Sequence, residues 1–153
     1  MIVFRLSKAA FAIDLSGKGA EKGGGRWNSK GTAMVYTSES RALCTTEIAV
    51  HTPLGNLPLG YQITSIEIPD NVPIQSIPDS SLPPDWNSIP HSHSTQLIGD
   101  RFIAERIHAV IKVPSAVVQG EFNYLINPSL VSENAIQVVH TETFSFDERL
   151  FKR

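Results

Sequence analysis

The order of the secondary-structure signals constrains this chain more than any single residue. Strand-like segments recur along it, and only two segments have the length and pattern of a helix. Ile2 to Leu6 alternates in the strand period, Met34 to Thr37 reads as a short buried strand, and Tyr61 to Ile68 alternates again. Val72 to Ile77 and Val110 to Val113 add two more, the second stopped by Pro114, and Ile136 to Phe146 makes the last. Residues 115–128 read as irregular structure or short strands, and the Pro/Ser/His-rich residues 78–94 as a loop. The helices are residues 39–51, ended by Pro53, and a segment from Ser94 or Thr95 to His108 with Leu97, Ile98, Phe102, Ile103 and Ile107 as its apolar stripe. Strands outnumber helices and do not alternate with them as βαβ units. That predicts an α+β fold of central mixed or antiparallel strands with a few helices. With 153 residues, 41% of them hydrophobic, one compact globular domain covering residues 1–153 is expected.

In the first helix, Ala42, Leu43, Cys44, Ile48, Ala49 and Val50 surround nearly the whole axis, so a largely buried helix is expected, capped by Ser38 or Ser40. Glu47 lies between Leu43 and Val50 on one side and Cys44 on the other. An ionised carboxylate in such a place is costly unless it is paired or hydrogen-bonded. Two readings are open for it. One is a salt bridge to Arg5, Arg26 or Arg41; the other is a carboxylate aimed into a cleft, stabilising a developing positive charge or orienting a nucleophile. Cys44 in the same helix reads as packing rather than as a nucleophile.

Residues 14–31 form a long Gly/Lys/Ser-rich loop, of the kind that in a compact domain is functional or mobile. It ends in Gly23-Gly24-Gly25-Arg26-Trp27-Asn28-Ser29-Lys30-Gly31. A planar, permanently charged fork beside a large aromatic suits a phosphorylated or carboxylated ligand with a ring to stack on. The alternative is a surface turn whose Trp27 plugs the core. Arg26 is correspondingly an anion clamp or an ion-pair partner. Tyr36 is either core packing with a satisfied hydroxyl or part of the same site. Ser115, after Val113-Pro114, is a turn or cap serine on one reading and a site residue on the other. No Gly-x-Ser-x-Gly elbow surrounds it, which argues against a serine hydrolase. Asn123 and Asn127 bracket Tyr124; they close turns, or Asn127 hydrogen-bonds a ligand.

Thirteen basic against fifteen acidic residues leave no basic surplus for non-specific nucleic-acid binding. A single cysteine excludes an intrachain disulfide and a zinc site built on several cysteines. His91 and His93 make a His-x-His pair without third and fourth ligands, so they read as solvated loop residues and no metal site is expected. The start MIVFRLSK lacks the apolar run of a signal peptide and no segment approaches membrane-spanning length, so a cytoplasmic location away from membranes is the expectation.

Several segments recur in a familiar order. They are Val3-Phe4-Arg5, Gly24 to Asn28 with Gly31, Val35-Tyr36-Thr37-Ser38, Ala42-Leu43 to Glu47 with Val50-His51, and Thr95-Gln96 to Gly99-Asp100. Val113-Pro114-Ser115-Ala116-Val117, Glu121, Asn123 to Pro128, and Phe146-Asp147 to Arg149-Leu150 complete the series. In this order and spacing the chain resembles the RES-domain family, named for its Arg, Glu and Ser. The resemblance implies a toxin of a toxin–antitoxin pair that depletes NAD⁺ in the bacterial cell, with a fold similar to ADP-ribosyltransferase toxins. It further implies a cognate antitoxin with an Xre-like helix-turn-helix region, through which alone DNA would be contacted. A homodimer stays open. The family's name residues map onto Arg26, Glu47 and Ser115, and its tyrosine onto Tyr36. Two positions depart: Phe102 stands where a Trp is common after Gly-Asp, and Ser129-Leu130 where His-Pro usually follows Asn-Pro.

On that resemblance NAD is a substrate and no resident cofactor is expected. Cleaving the nicotinamide–ribose bond releases a neutral leaving group through an oxocarbenium-like transition state that wants negative charge near the ribose. Glu47 would supply it, Arg26 would hold a phosphate, and Ser115 would fix Glu47 or a ribose hydroxyl. Tyr36, Trp27, Ser38 and Asn127 would line the substrate. Water as acceptor makes a glycohydrolase, phosphate a phosphorylase, and a protein an ADP-ribosyltransferase. A non-enzymatic module binding a phosphorylated ligand is the rival from another class.

Overall fold

A computed structural model describes residues 1–152. Its centre is a seven-stranded sheet built from β1 (Ile2–Lys8), β2 (Val35–Ser38), β3 (Tyr61–Glu67), β4 (Ile74–Ser76), β5 (Val110–Pro114), β6 (Phe122–Ile126) and β7 (Gln137–Phe144). Three helices accompany it: α1 (Lys18–Gly23), α2 (Arg41–His51) and α3 (His93–Glu105). The strand order is β4-β5-β6-β2-β1-β3-β7, and every neighbouring pair is antiparallel except β4 with β5. The α+β expectation therefore stands.

One weakness in the sheet organises everything else. β1 and β3 pair along seven residues, yet β1 meets β2 through the single pair Phe4–Ser38. The sheet thus divides into a β1-β3-β7 half and a β2-β6-β5-β4 half, and the core divides with it. Leu6, Cys44, Ile63, Phe146 and Phe151 pack one half beneath α2. Trp27, Met34, Phe102, Ile111, Val113 and Leu125 pack the other beneath α3. A third cluster, with Val3, Val35, Ile66, Val110, Tyr124 and Ile126, runs along the opposite face and crosses the division. The alternation of each strand decides which side chain goes where: Tyr124 and Ile126 turn to one face, Asn123 and Leu125 to the other.

Three elements differ from the sequence reading, and a fourth decides between its alternatives. The loop 14–31 contains α1, a six-residue helix between two glycines with φ of +69°. α2 starts at its Ser40 cap as expected, with Ser40 accepting from the Leu43 amide at 3.0 Å, but it is half-buried rather than enclosed. Val50 is 55% exposed and Ala42 is exposed, because the sheet covers one side of the helix and no further layer covers the other. α3 stops at Glu105 rather than His108. Arg106 adopts a left-handed φ of 52°, and Asn127 Nδ2 donates to the Ile103 carbonyl, one of the orphan acceptors of the last turn. Residues 122–126, read as irregular or short strands, form β6, a central strand paired on both sides. No helix among the described residues is long and apolar enough to cross a membrane.

Candidate active site

The Gly-rich loop is tied down on several sides. Gly25 donates its amide to the Asn28 carbonyl at 2.9 Å, closing a tight turn. A Cβ on Gly25 would stand 2.7 Å from the Tyr36 hydroxyl and 3.0 Å from Asn28 Oδ1, so only glycine fits. That hydroxyl accepts from the Trp27 amide at 3.0 Å and donates to Asn28 Oδ1 at 2.7 Å. Asn28, fully buried, donates in turn to the carbonyls of Ala20 and Thr32, each at 2.9 Å. From α3, Thr95 Oγ1 donates to the Arg26 carbonyl at 2.6 Å and Gln96 Nε2 to the Gly25 carbonyl at 3.0 Å.

This frame aims the Arg26 side chain. Its Nη1 donates to the carbonyls of Trp86 and Ser88, at 2.9 and 3.0 Å, while Nε and Nη2 have no protein acceptor among the described residues. Burial lowers the Arg26 pKa and the nearby charge of Glu47 opposes that shift. The Tyr36 phenol is pushed well above its ordinary value by burial, so it stays a neutral donor.

Glu47, on α2, reaches to the β5–β6 part of the sheet. Its Oε1 accepts from Ser115 Oγ at 3.0 Å and from Asn123 Nδ2 at 2.8 Å. Oε2 accepts no protein hydrogen bond and is not among the buried unpaired oxygens, so it is open to solvent. Ser115 is 3% exposed and also receives the amides of Val117 and Val118, at 3.1 and 3.0 Å. It is at once the turn-closing serine and the partner of Glu47. The salt bridge offered as one reading of Glu47 is absent among the described residues. Arg41 pairs with Glu142, Arg5 donates to the Asp14 carbonyl, and Arg26 holds two carbonyls.

Ser38 also belongs to this cluster, but through protein contacts: 5% exposed, it donates to Asn123 Oδ1 at 2.7 Å. Two expected ligand contacts lie elsewhere. Trp27 is a core residue, 3% exposed and packed with Met34, Phe102 and Leu125, so its ring offers no stacking face. Asn127 is fully buried at the far end of β6 from Asn123. Its Nδ2 donates to the Ile103 carbonyl and its Oδ1 accepts from the amide and hydroxyl of Ser129, and with no exposed surface it presents no atom to a ligand. Burial pushes the Cys44 thiol up to about 11, and its Sγ donates to the Phe4 carbonyl, as suits a packing residue. His93 contacts Gln96 on α3, and no three His, Cys, Asp or Glu among the described residues gather as a metal site.

Sequence reasoning missed Asn123 as a site residue. The signal was its strand parity: on the strand 122–126 it shares a face with the buried Leu125, an unusual place for an amide without a partner.

Comparison with known proteins agrees with this architecture. A chain of the M. tuberculosis MbcT–MbcA toxin–antitoxin complex superposes with a TM-score of 0.71 at 20% identity, covering 98% of this chain and 86% of that one; the two share a fold. The "Prs ADP-ribosylating toxin" of Sphingobium sp. is 35% identical over 144 residues, 93% of this chain and 89% of that protein. Proteins named "Toxin Res" from Photorhabdus laumondii and Pseudomonas putida are 35% and 33% identical, covering 99% of this chain and 98% and 100% of their own lengths. The RES domain profile matches residues 2–147, and the chain belongs to the RES domain family.

Proposed function

We propose that this protein is the toxin of a toxin–antitoxin pair and that it cleaves the nicotinamide–ribose bond of NAD⁺. One observation carries the reading: Arg26 and Glu47 lie close enough to feel each other's charge, yet each is held by neutral groups. Carbonyls orient the guanidinium, and a hydroxyl and an amide orient the carboxylate. An ion pair between them would cancel both charges. Held by neutral partners instead, Arg26 keeps Nε and Nη2 free and Glu47 keeps Oε2 free.

That arrangement suits a zwitterionic dinucleotide. The unoccupied Nε and Nη2 of Arg26 match a phosphate. The open Oε2 of Glu47 supplies negative charge to the oxocarbenium-like ribose as neutral nicotinamide departs, and it orients the acceptor. NAD enters as substrate, so the scheme needs no resident cofactor. The 35% identical relative named for ADP-ribosylation favours a second reading, transfer of ADP-ribose to a protein acceptor. Both readings share the first bond cleavage and differ in what captures the ribose. A neutralising antitoxin follows from either, since unrestrained NAD loss would kill the host.

The test is incubation of purified protein with NAD⁺, with water alone, with phosphate, and with a cell extract, following free nicotinamide and protein-bound ADP-ribose. Release abolished in Glu47→Gln supports the scheme, and the condition that accelerates it names the acceptor. Intact NAD⁺ in all three conditions, from a folded sample free of antitoxin, would sink it.

A further inference from the structure

β2 and β6 pair so that Ser38 stands directly opposite Asn123, on the face that also receives α2. Three side chains from three elements then form one line. Ser38 Oγ donates to Asn123 Oδ1 at 2.7 Å, and Asn123 Nδ2 donates to Glu47 Oε1 at 2.8 Å. We propose that Asn123 is a positioning residue for the Glu47 carboxylate and that Ser38 sets which way its amide faces. This rests on the reading of Glu47 given above and extends it to two residues that need not touch substrate.

The chemistry of the three groups allows one polarity. A carboxylate only accepts, so the amide must present its NH₂ to Glu47; the carbonyl end then faces Ser38, whose hydroxyl can only donate to it. Without that hydroxyl, the amide loses the partner that opposes a flip, and a flipped amide would set its oxygen against the Glu47 oxygen. Ser115 completes the arrangement from the other side. Both of its acceptor positions are occupied by the Val117 and Val118 amides, so its single proton goes to the same Oε1. Two donors from two strand ends, the Ser115 turn after β5 and the start of β6, therefore pin one oxygen of Glu47 and leave the other directed outward. The place is consequential, because Ser38 is also the β2 residue registered against β1, opposite Phe4. The carboxylate is indexed to the point where the two halves of the sheet join.

Asn123→Asp tests this with almost no change of shape. It replaces a donor with an anionic acceptor beside Glu47, and two carboxylates at hydrogen-bond distance cannot both be ionised cheaply. We expect kcat for nicotinamide release to fall about 10²-fold at pH 8 with KM within about twofold of wild type, since a misplaced catalytic group costs that much without loss of ground-state binding. Activity should recover as pH falls towards 5, where a proton shared by the two carboxylates restores the missing donor; a merely structural role would give no such profile. Ser38→Ala should lose less, and Ser38→Thr should restore it.

A second readout stands apart from catalysis. In the ¹⁵N spectrum of the wild type, the Asn123 side-chain NH₂ signals should move both in Glu47→Gln and in Ser38→Ala. Signals indifferent to both changes overturn the relay, as does an Asn123→Asp enzyme with wild-type kcat and pH profile. Signals that respond in a protein that leaves NAD⁺ intact would uphold the relay and discard the NAD reading.

Discussion

Ser115 gives its only proton to Glu47 while its oxygen closes a turn with the amides of Val117 and Val118. One hydroxyl therefore couples a stability role to an orienting role, and substitutions can separate them. Ser115→Ala should slow nicotinamide release by about 10²-fold through displacement of Glu47. It should also lower stability by about 1–3 kcal/mol, because two amides lose their acceptor. Kinetics and thermal unfolding on the same variant check both. Wild-type kcat with lowered stability would reduce Ser115 to a turn residue.

α3 passes close against the Trp27 backbone at Gly99. A Cβ on Gly99 would lie 1.6 Å from the Trp27 carbonyl oxygen and 2.7 Å from its carbonyl carbon. Backbone cannot yield as a flexible side chain would, so Gly99→Ala should cost at least about 3 kcal/mol. A thermal melt within about 2 °C of wild type would contradict this packing.

Tyr36 is placed to hold the loop rather than to meet a ligand with its hydroxyl, since both polar capacities are used by Trp27 and Asn28. Tyr36→Phe should destabilise by about 1–3 kcal/mol by stranding the Trp27 amide and Asn28 Oδ1. Hydrogen exchange at the Trp27 amide should accelerate in the same variant; an unchanged rate would remove Tyr36 from this role.

Cys44 predicts a pH dependence of stability. Its thiol titrates near 9.0 unfolded and is raised by burial to about 11 in the fold. The folded state then binds more protons than the unfolded one above pH 9, so the contribution is complete below that value and is lost as pH rises towards 11. Tyr36, also raised by burial, acts with the same sign, but only above about 10. Urea melts between pH 8.5 and 10 should show stability falling in wild type and a flatter slope in Cys44→Ala. Equal slopes would remove Cys44 from the effect.

Arg41 serves as the control. Its guanidinium pairs with Glu142 on the surface, with both side chains about half exposed (48% and 41%). Arg41→Ala should change stability by no more than about 1 kcal/mol and leave nicotinamide release unaltered. A large loss of activity would mean that Arg41 reaches the Glu47 site after all.

Much of the architecture was legible from local pattern. Strands β1, β3 and β7 and the Ser40 cap follow from alternation and capping chemistry, which act over a few residues. β6 is legible only as one of two alternatives, because Asn123 and Asn127 look like turn residues at either end of Tyr124-Leu125-Ile126; pairing with β2 and β5 on both sides decides for the strand. The short glycine-bounded helix α1 was hidden by low helix propensity. It is held by tertiary contacts, among them the Ala20 carbonyl accepting from Asn28.

The sequence by itself determined the fold class, the family, and Arg26, Glu47, Ser115 and Tyr36 as residues of interest, because periodicity, motif order and spacing are written along the chain. Only the tertiary structure decided their partners. Glu47 sits 68 residues from Ser115 and 76 from Asn123, and its choice of those neutral donors over Arg5, Arg26 or Arg41 depends on strand register and on which face of the sheet α2 covers. The same is true of Trp27, whose place in the core rather than in a ligand pocket follows from α3 offering a glycine beneath its carbonyl. A hydrogen bond between distant residues is fixed by how the sheet halves meet, and no local pattern in the chain encodes that meeting.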